Sequence, residues 1–178
     1  VLGQQVASPT EYCPSILVPV PRSLNRKIYD IHTPEELFLG FDTWHAYEAG
    51  FLARNGLPVC GVLKLVYPAN SPCIVESKSL KLYLNSLNMT RLGEDTPSGI
   101  EIYLQTVKSD LEQILQTRVE ATFFRQAPEK TYFDFQDYTL LEAIPGIERA
   151  TFTEYNENPA ILESRTTGRG EIKVCSHL

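Results

Sequence analysis

The stretch Val59-Cys-Gly-Val-Leu-Lys-Leu-Val-Tyr67, followed by Pro68-Ala-Asn-Ser-Pro72 and Cys73-Ile-Val75, decides the fold. Its branched and aromatic residues favour extended backbone, whereas the prolines and small polar residues between the two runs favour a turn. We therefore predict two strands and expect them to pair antiparallel. Ser77 is the predicted N-cap of a helix that starts where the second strand ends, and the apolar face of that helix comprises Leu80, Tyr83, Leu84 and Leu87.

Further elements are predicted on both sides of this centre. Upstream, a short helix is predicted that is capped by Asp42 and ends at Asn55-Gly56. Its apolar residues recur at helical spacing and are Trp44, Tyr47, Phe51 and Leu52. Downstream, residues 93–99 predict a loop, and Ser98-Gly-Ile-Glu101 predicts a capping box. The longer helix that follows has an apolar face made of Ile100, Tyr103, Leu104, Val107, Leu111, Ile114 and Leu115. Residues 119–124 and 132–141 predict two further strands.

The order of these elements predicts an α+β fold in which an antiparallel sheet carries both helices on one face. An extended arm over residues 1–40 precedes it, because prolines interrupt that segment at Pro9, Pro14, Pro19, Pro21 and Pro34. We expect the arm to pack onto another surface. Residues 41–145 form the predicted module. Residues 146–178, where apolar periodicity fades, are predicted to be a connector toward a further part of a longer protein.

Composition excludes several classes of function. The chain has 178 residues, 43% of them hydrophobic, and a net charge of -6, which disfavours binding to nucleic acid. The sequence contains no apolar run long enough for a membrane span. Its four cysteines are widely separated, which fits free thiols and a cytoplasmic protein.

Residues 74–86 place a carboxylate, hydroxyls and two lysines where a strand gives way to a helix. The first N–H groups of a helix lack partners, so an anion near Ser77 and Lys78 would meet both N–H donors and a positive charge. Glu76 could instead accept paired N–H donors of a guanine-like ring. A capped amphipathic helix with solvated lysines explains the same residues, so the residue pattern leaves these interpretations open.

The other candidate residues carry weaker signals. The three histidines, His32, His45 and His177, lack further ligands at metal-binding spacing, so no metal site is predicted. Aromatic residues near Glu48 are interpreted as core residues of the upstream helix. Arg22 is either exposed or paired with a carboxylate across an interface.

Several ordered motifs resemble one family. Glu76-Ser-Lys-Ser-Leu-Lys-Leu-Tyr83 is similar to the signature of the nitrile reductases of the queuosine pathway, the 7-cyano-7-deazaguanine reductases in their long, bimodular form. The motifs that agree with it in the same order are Leu2-Gly-Gln, Pro19-Val-Pro-Arg-Ser23, Gly40-Phe-Asp-Thr-Trp-His-Ala-Tyr-Glu48 and Pro68-Ala-Asn-Ser-Pro72. The resemblance runs over nearly the whole chain.

The resemblance implies a tunnelling fold and an oxidoreductase module. Val75, Glu76 and Ser77 would bind 7-cyano-7-deazaguanine, and Ser77 and Lys78 would contact the cofactor NADPH. A cysteine thiolate would attack the nitrile carbon to give a thioimide, two hydride transfers would yield the aminomethyl product, and an aspartic acid would supply protons.

The resemblance also implies what this chain does not supply. Ser176-His-Leu178 is similar to the run that shortly precedes the catalytic cysteine, so the nucleophilic Cys and the Asp are expected beyond Leu178. Cys175 is not assigned as the nucleophile, and the chain alone is expected to be inactive. A second tunnelling-fold module of the same polypeptide and a homo-oligomer, such as a dimer, are the expected partners. The alternatives are a non-catalytic or split assembly module and a pterin-binding enzyme such as a cyclohydrolase, which would need clustered zinc ligands.

Overall fold

The structure is a computed structural model that describes residues 9, 11–31, 40–126, 139–140, 143–149, 151 and 174–175. The chain divides into two compact units, Val1–Pro128 and Glu129–Leu178. The described part of the first unit contains, in chain order, β1 (Pro19–Pro21), α1 (Ser23–Arg26), β2 (Phe41–Leu52), β3 (Pro58–Pro68), β4 (Cys73–Val75), α2 (Ser77–Leu87), α3 (Thr96–Leu115) and β5 (Glu120–Phe124). Short 3-10 helices occur at Pro14–Ile16 and Lys27–Tyr29.

The first unit is built on an antiparallel three-stranded sheet in the order β2-β3-β5. The strands predicted over residues 59–67 and 119–124 are confirmed as β3 and β5. β2 and β3 form a hairpin whose turn contains Asn55-Gly56, with Gly56 at φ +87°. Glycine suits this position because side chains disfavour positive φ. Asn55-Gly56, which was predicted to end a helix, therefore forms part of the turn of a β-hairpin.

The predicted upstream helix is wrong, because residues 41–52 form the long strand β2. The register between β2 and β3 shifts between Ala46 and Ala49, so two residues of β2 lie opposite one residue of β3. Such a β-bulge changes which residues face inward. Trp44 and Ala46 pack on the core before the bulge, and Ala49 and Phe51 lie in the core after it. The inward-facing residues of β2 therefore do not alternate strictly, and their spacing resembles that of the residues on one face of a helix.

The predicted pairing of residues 59–67 with residues 73–75 is also wrong. β3 already has β2 on one side and β5 on the other, so neither of its edges is open to β4. β4 pairs antiparallel with β1 instead, with Pro19 opposite Val75 and Pro21 opposite Cys73. The arm therefore contributes a strand to a two-stranded ribbon, here called the β1–β4 ribbon.

The helices occur where the sequence predicts them, but both caps differ from the prediction. Glu76, not Ser77, caps α2, and Asp95 with Ser98 forms the capping box of α3 in place of Ser98 with Glu101. α3 therefore begins inside the predicted loop. A proline in its first turn suits this start, because the first helical N–H groups need no partner within the helix.

One apolar core joins a single face of the three-stranded sheet to α2 and α3. The predicted apolar faces of both helices are confirmed by the burial of Tyr83, Leu87, Tyr103 and Leu111, each at most 1% exposed. Phe51 of β2 stacks on Tyr103 with ring centroids 5.4 Å apart. The α+β class and the antiparallel sheet are thereby confirmed.

The described part of the proline-rich arm packs against α2. The sequence analysis expected the arm to pack onto another surface. Two buried serines of α2 accept its main-chain N–H groups: Ser79 Oγ from Val18 at 3.1 Å and Ser86 Oγ from Cys13 at 3.2 Å. Tyr12 donates to Asp110 of α3 at 2.7 Å. Hydroxyl groups on the buried side of α2 therefore bind the arm.

The second unit contains the described strands β6 (Thr139–Leu140) and β7 (Val174–Cys175), which pair in parallel, and a 3-10 helix at Ile147–Arg149. Most of the strand predicted over residues 132–141 lies outside the described residues. The described part of that prediction, Thr139–Leu140, pairs in parallel with β7, whereas the sequence predicted antiparallel pairing. Among the helices of the described segments, none combines the length with the apolar content needed to cross a bilayer.

Candidate functional site

The junction between β4 and α2 contains all four residues predicted to bind ligands. Glu76 has extended backbone angles of φ -72° and ψ 130°, which turn the chain from the strand into the helix. Its carboxylate accepts the N–H of Lys78 at 3.1 Å and that of Ser79 at 2.6 Å. The side chain therefore satisfies two of the N–H groups that the start of a helix leaves unpaired.

The same hydrogen bonds set the charge of Glu76. Partial burial alone would raise the pKa of its carboxyl group. The N–H groups of Ser79 and Lys78, the Ser79 hydroxyl and the positive charge of Lys78 outweigh that effect and hold the pKa below its usual value. Glu76 is therefore ionised at neutral pH. Each carboxylate oxygen has a second lone pair, so the group can still accept N–H donors from a ligand.

Ser77 and Lys78 are the first residues of α2, and both are exposed. The N–H groups of Lys78 and Ser79, which were predicted to be open to an anion, already bind Glu76. The Glu76 N–H binds the carbonyl of Val18 at 3.0 Å. The Ser77 hydroxyl and the positively charged Lys78 side chain also belong to this exposed first turn of the helix.

Val75 differs from its three neighbours because its side chain is buried, at 2% exposure. Its N–H lies 3.4 Å from the hydroxyl oxygen of Tyr67, which also accepts the indole N–H of Trp44 at 2.8 Å. Val75 therefore anchors the junction to the core.

A groove of about 400 Å³ lies between β2 and α2 and reaches the junction at Ser77. Its walls combine apolar side chains with polar ones, a composition typical of small-molecule sites. The lining residues are Trp44, His45, Ala46, Tyr47, Glu48, Ala49, Leu65, Ser77, Leu80, Lys81, Leu84 and Asn85. The β-bulge lies in this wall and leaves Tyr47 exposed, at 59%.

The sequence interpretation included Ser77 but missed two groups of lining residues. Lys81 and Asn85 follow Ser77 at intervals of four residues, a spacing that places all three on one face of a helix and that the sequence already contained. Tyr47 and Glu48 were interpreted as part of a helix, and only the bulge of a strand brings them to the groove. Arg22, which the sequence left as either exposed or paired across an interface, is only 13% exposed and pairs with Asp42 of the same chain. Among the described residues, no three His, Cys, Asp or Glu side chains cluster as metal ligands would.

Fold and site together define an α+β module that presents an ionised carboxylate beside a partly apolar groove. Residues 8–123 match the sequence profile of the family described as the nitrile reductase, 7-cyano-7-deazaguanine reductase, N-terminal part. The chain belongs to this family.

Individual relatives agree with the family match. The chain is 38% identical over 125 residues to proteins of Psychrobacter cryohalolentis and Acinetobacter baumannii, and 37% identical over 129 residues to one of Coxiella burnetii. All three are named NADPH-dependent 7-cyano-7-deazaguanine reductase. These alignments cover 70%, 70% and 72% of this chain and 42%, 44% and 45% of the respective relatives. The chain thus spans less than half the length of the curated relatives it matches.

Proposed function

We propose that the chain is the N-terminal module of an NADPH-dependent oxidoreductase that reduces the nitrile of 7-cyano-7-deazaguanine in queuosine biosynthesis, a tRNA modification pathway. The observation that supports it most is the ionised Glu76 at the β4–α2 junction of a chain that belongs to this family. Reduction of a nitrile to an aminomethyl group takes up two hydrides and two protons. Two NADPH molecules would therefore be consumed for each substrate molecule.

We further propose that residues 41–145 form a tunnelling-fold module and that residues 146–178 connect it to a second one. The antiparallel sheet with two helices on one face is consistent with that fold. The nucleophilic cysteine and the proton-donating aspartic acid would come from the second module, because no residue of the described site is a cysteine. The complete protein is proposed to act in the cytoplasm as a homo-oligomer.

In the proposed site, Glu76 accepts two N–H groups of the deazaguanine ring through lone pairs that the helix cap leaves unused. The main chain of Val75 and the hydroxyl of Ser77 border the same ring. Lys78, with Ser77, contacts NADPH through charge and hydrogen bonding to its phosphate. The cofactor supplies hydride when bound, and these residues orient it and the substrate.

The experiment that tests this proposal compares Glu76→Ala with Glu76→Asp in the complete natural polypeptide. Glu76→Ala removes both the helix cap, worth about 1 kcal/mol, and the substrate contact. Glu76→Asp retains a residue that caps helices well but moves the carboxylate back by one methylene. We expect both variants to weaken binding of 7-cyano-7-deazaguanine strongly, whereas only Glu76→Ala lowers the unfolding temperature. Calorimetric titration and thermal denaturation measure the two effects.

Lys78→Ala is the matched variant on the cofactor side of the junction. It should raise the KM for NADPH in an assay of NADPH oxidation and leave the affinity for the nitrile unchanged. Unchanged nitrile affinity in both Glu76 variants, or no oxidation of NADPH when the nitrile is added to the wild-type protein, would contradict the proposed function.

A further inference from the structure

Arg22 lies where three segments of the first unit meet, outside the β2–α2 groove. Its guanidinium group forms an ion pair with Asp42 at the start of β2, and the side chains are 13% and 26% exposed. It also donates to the hydroxyl of Ser71 from Nε at 3.2 Å and from a terminal nitrogen at 3.0 Å. Ser71, only 3% exposed, donates in turn to the carbonyl of Cys73 at 2.9 Å. The chain of contacts runs from β2 through Arg22 to β4.

β4 depends on such contacts because a ribbon of two short strands is only marginally stable by itself. In the described sheets it pairs only with β1. Two of the three residues of β1 are prolines, which have no N–H to donate. The missing N–H groups would point away from β4, because the ladder bonds lie on the neighbouring residues: the Glu76 N–H binds the Val18 carbonyl and the Arg22 N–H binds the Pro72 carbonyl, each at 3.0 Å. The β1–β4 ribbon is nevertheless only two strands wide and three residue pairs long, and Glu76 follows β4 directly. Any displacement of β4 would move the carboxylate of Glu76.

Besides the packing of Val75 in the core, two polar side-chain contacts connect the ribbon to the three-stranded sheet, one at each end of β4. At the Val75 end, the Tyr67 hydroxyl oxygen lies 3.4 Å from the Val75 N–H. At the Cys73 end, Arg22 binds both Asp42 and Ser71, and its main-chain N–H binds the Pro72 carbonyl at 3.0 Å. Arg22 thus joins the arm, the turn before β4 and the start of β2.

We infer that Arg22 is a positioning residue that, together with Asp42, fixes β4 and thereby the Glu76 carboxylate. The inference rests on the proposed function, and it gives a role to two sequence motifs that lie outside the site, Pro19-Val-Pro-Arg-Ser23 and Pro68-Ala-Asn-Ser-Pro72. It also gives a role to Asp42, near the start of the motif that continues to Glu48 in the groove wall. A displacement of about 1 Å can reduce the rate of an enzyme by roughly a hundredfold, so a contact remote from the substrate can control its binding.

The first test is the kinetics of Arg22→Lys in the complete natural polypeptide. Lysine retains the positive charge but lacks the planar guanidinium group, whose several N–H donors let arginine bind two partners at once. We expect the KM for 7-cyano-7-deazaguanine to rise roughly tenfold, because the carboxylate is held less accurately. Arg54→Lys is the matched control, since Arg54 forms an ion pair with Glu94 in which both side chains are largely exposed. Its KM should equal that of the wild-type protein.

The second test does not depend on activity. Hydrogen exchange at the amides of residues 73–79 should be faster in Arg22→Lys than in the wild-type protein, while the amides of α3 exchange at an unchanged rate. The double variant Arg22→Ala with Asp42→Ala should raise the KM by less than the product of the two single effects, because both changes break the same contact.

The outcomes separate this inference from the proposed function. A wild-type protein that does not oxidise NADPH on addition of the nitrile refutes the proposed function, and hydrogen exchange then decides whether Arg22 positions β4. In an active protein, an unchanged KM in Arg22→Lys overturns the inference. Faster exchange throughout α3 also overturns it, because Arg22 would then stabilise the whole unit.

Discussion

Glu76 combines two roles that usually fall to different residues. Its carboxylate caps α2 and is the group we propose to bind the deazaguanine ring. The sequence pointed to Glu76 as a ligand through its family motif, but it assigned the cap to Ser77. Glutamate is seldom an N-cap, because serine, threonine, aspartate and asparagine are preferred there. The helix cap could therefore not be predicted from residue preference.

The cap makes the stability of the protein depend on pH. The pKa of Glu76 is lowered in the folded protein from an ordinary value of 4.5, so folding favours the ionised form. The stabilising contribution is complete above pH 4.5 and is lost as the pH falls through the lowered pKa. We expect the difference in unfolding free energy between wild type and Glu76→Gln to shrink over that range. Urea denaturation between about pH 6 and pH 3 measures it; a constant difference would contradict the prediction.

Two buried tyrosines of the core should respond in opposite ways to loss of the hydroxyl group. Tyr103 is fully buried, and its hydroxyl has no hydrogen-bond partner among the residues that the structure describes. Tyr83 donates to the carboxylate of Asp110 at 2.6 Å. Removing an unpaired buried hydroxyl relieves its desolvation cost, whereas removing a paired one loses a hydrogen bond to a charged group.

We therefore expect Tyr103→Phe to raise the free energy of unfolding by about 1 kcal/mol and Tyr83→Phe to lower it by about 1.5 kcal/mol. Chemical denaturation of the two variants measures both changes. Each variant is the control for the other, because both remove one hydroxyl group from a buried tyrosine. A destabilised Tyr103→Phe would mean that the hydroxyl has a partner in solution.

At the scale of elements, strand β2 shows why its prediction from sequence was wrong. Its inward residues before the bulge, Trp44 and Ala46, are even-numbered, and those after it, Ala49 and Phe51, are odd-numbered. A strand is recognised by strict alternation, and one extra residue breaks that pattern. In contrast, α3 and β3 are regular throughout, and both were predicted with only small errors at their ends.

The contact between the arm and α2 leads to a prediction about local opening. Ser86 is fully buried, and its hydroxyl accepts the N–H of Cys13 at 3.2 Å. Loss of this hydrogen bond should cost about 1 kcal/mol, so exchange at the Cys13 amide should become about fivefold faster in Ser86→Ala. Ser109→Ala, on the exposed face of α3, is the matched control. Equal Cys13 exchange rates in the two variants would show that Ser86 does not hold the arm.

At the scale of the whole molecule, the sequence predicted the class of fold, the order of most elements and the strand-to-helix junction at residues 75–78. It did not predict which strands pair. β4 follows β3 closely in sequence yet pairs with β1, more than fifty residues away along the chain. Strand pairing depends on which sheet edges are still open once the helices have packed, and local preference contains no information about that.

The β-bulge in β2 also has a consequence for changes in chain length. If Glu48 were deleted, Trp44, Ala46, Ala49 and Phe51 would fall into strict alternation, and each would keep its present side of the sheet. The strand could therefore lose this residue without turning any core residue outward. Deleting a residue from the regular part of β3 would turn one half of that strand over. A deletion of Glu48 is therefore expected to preserve the inward face of β2, whereas it would remove one carboxylate from the groove wall.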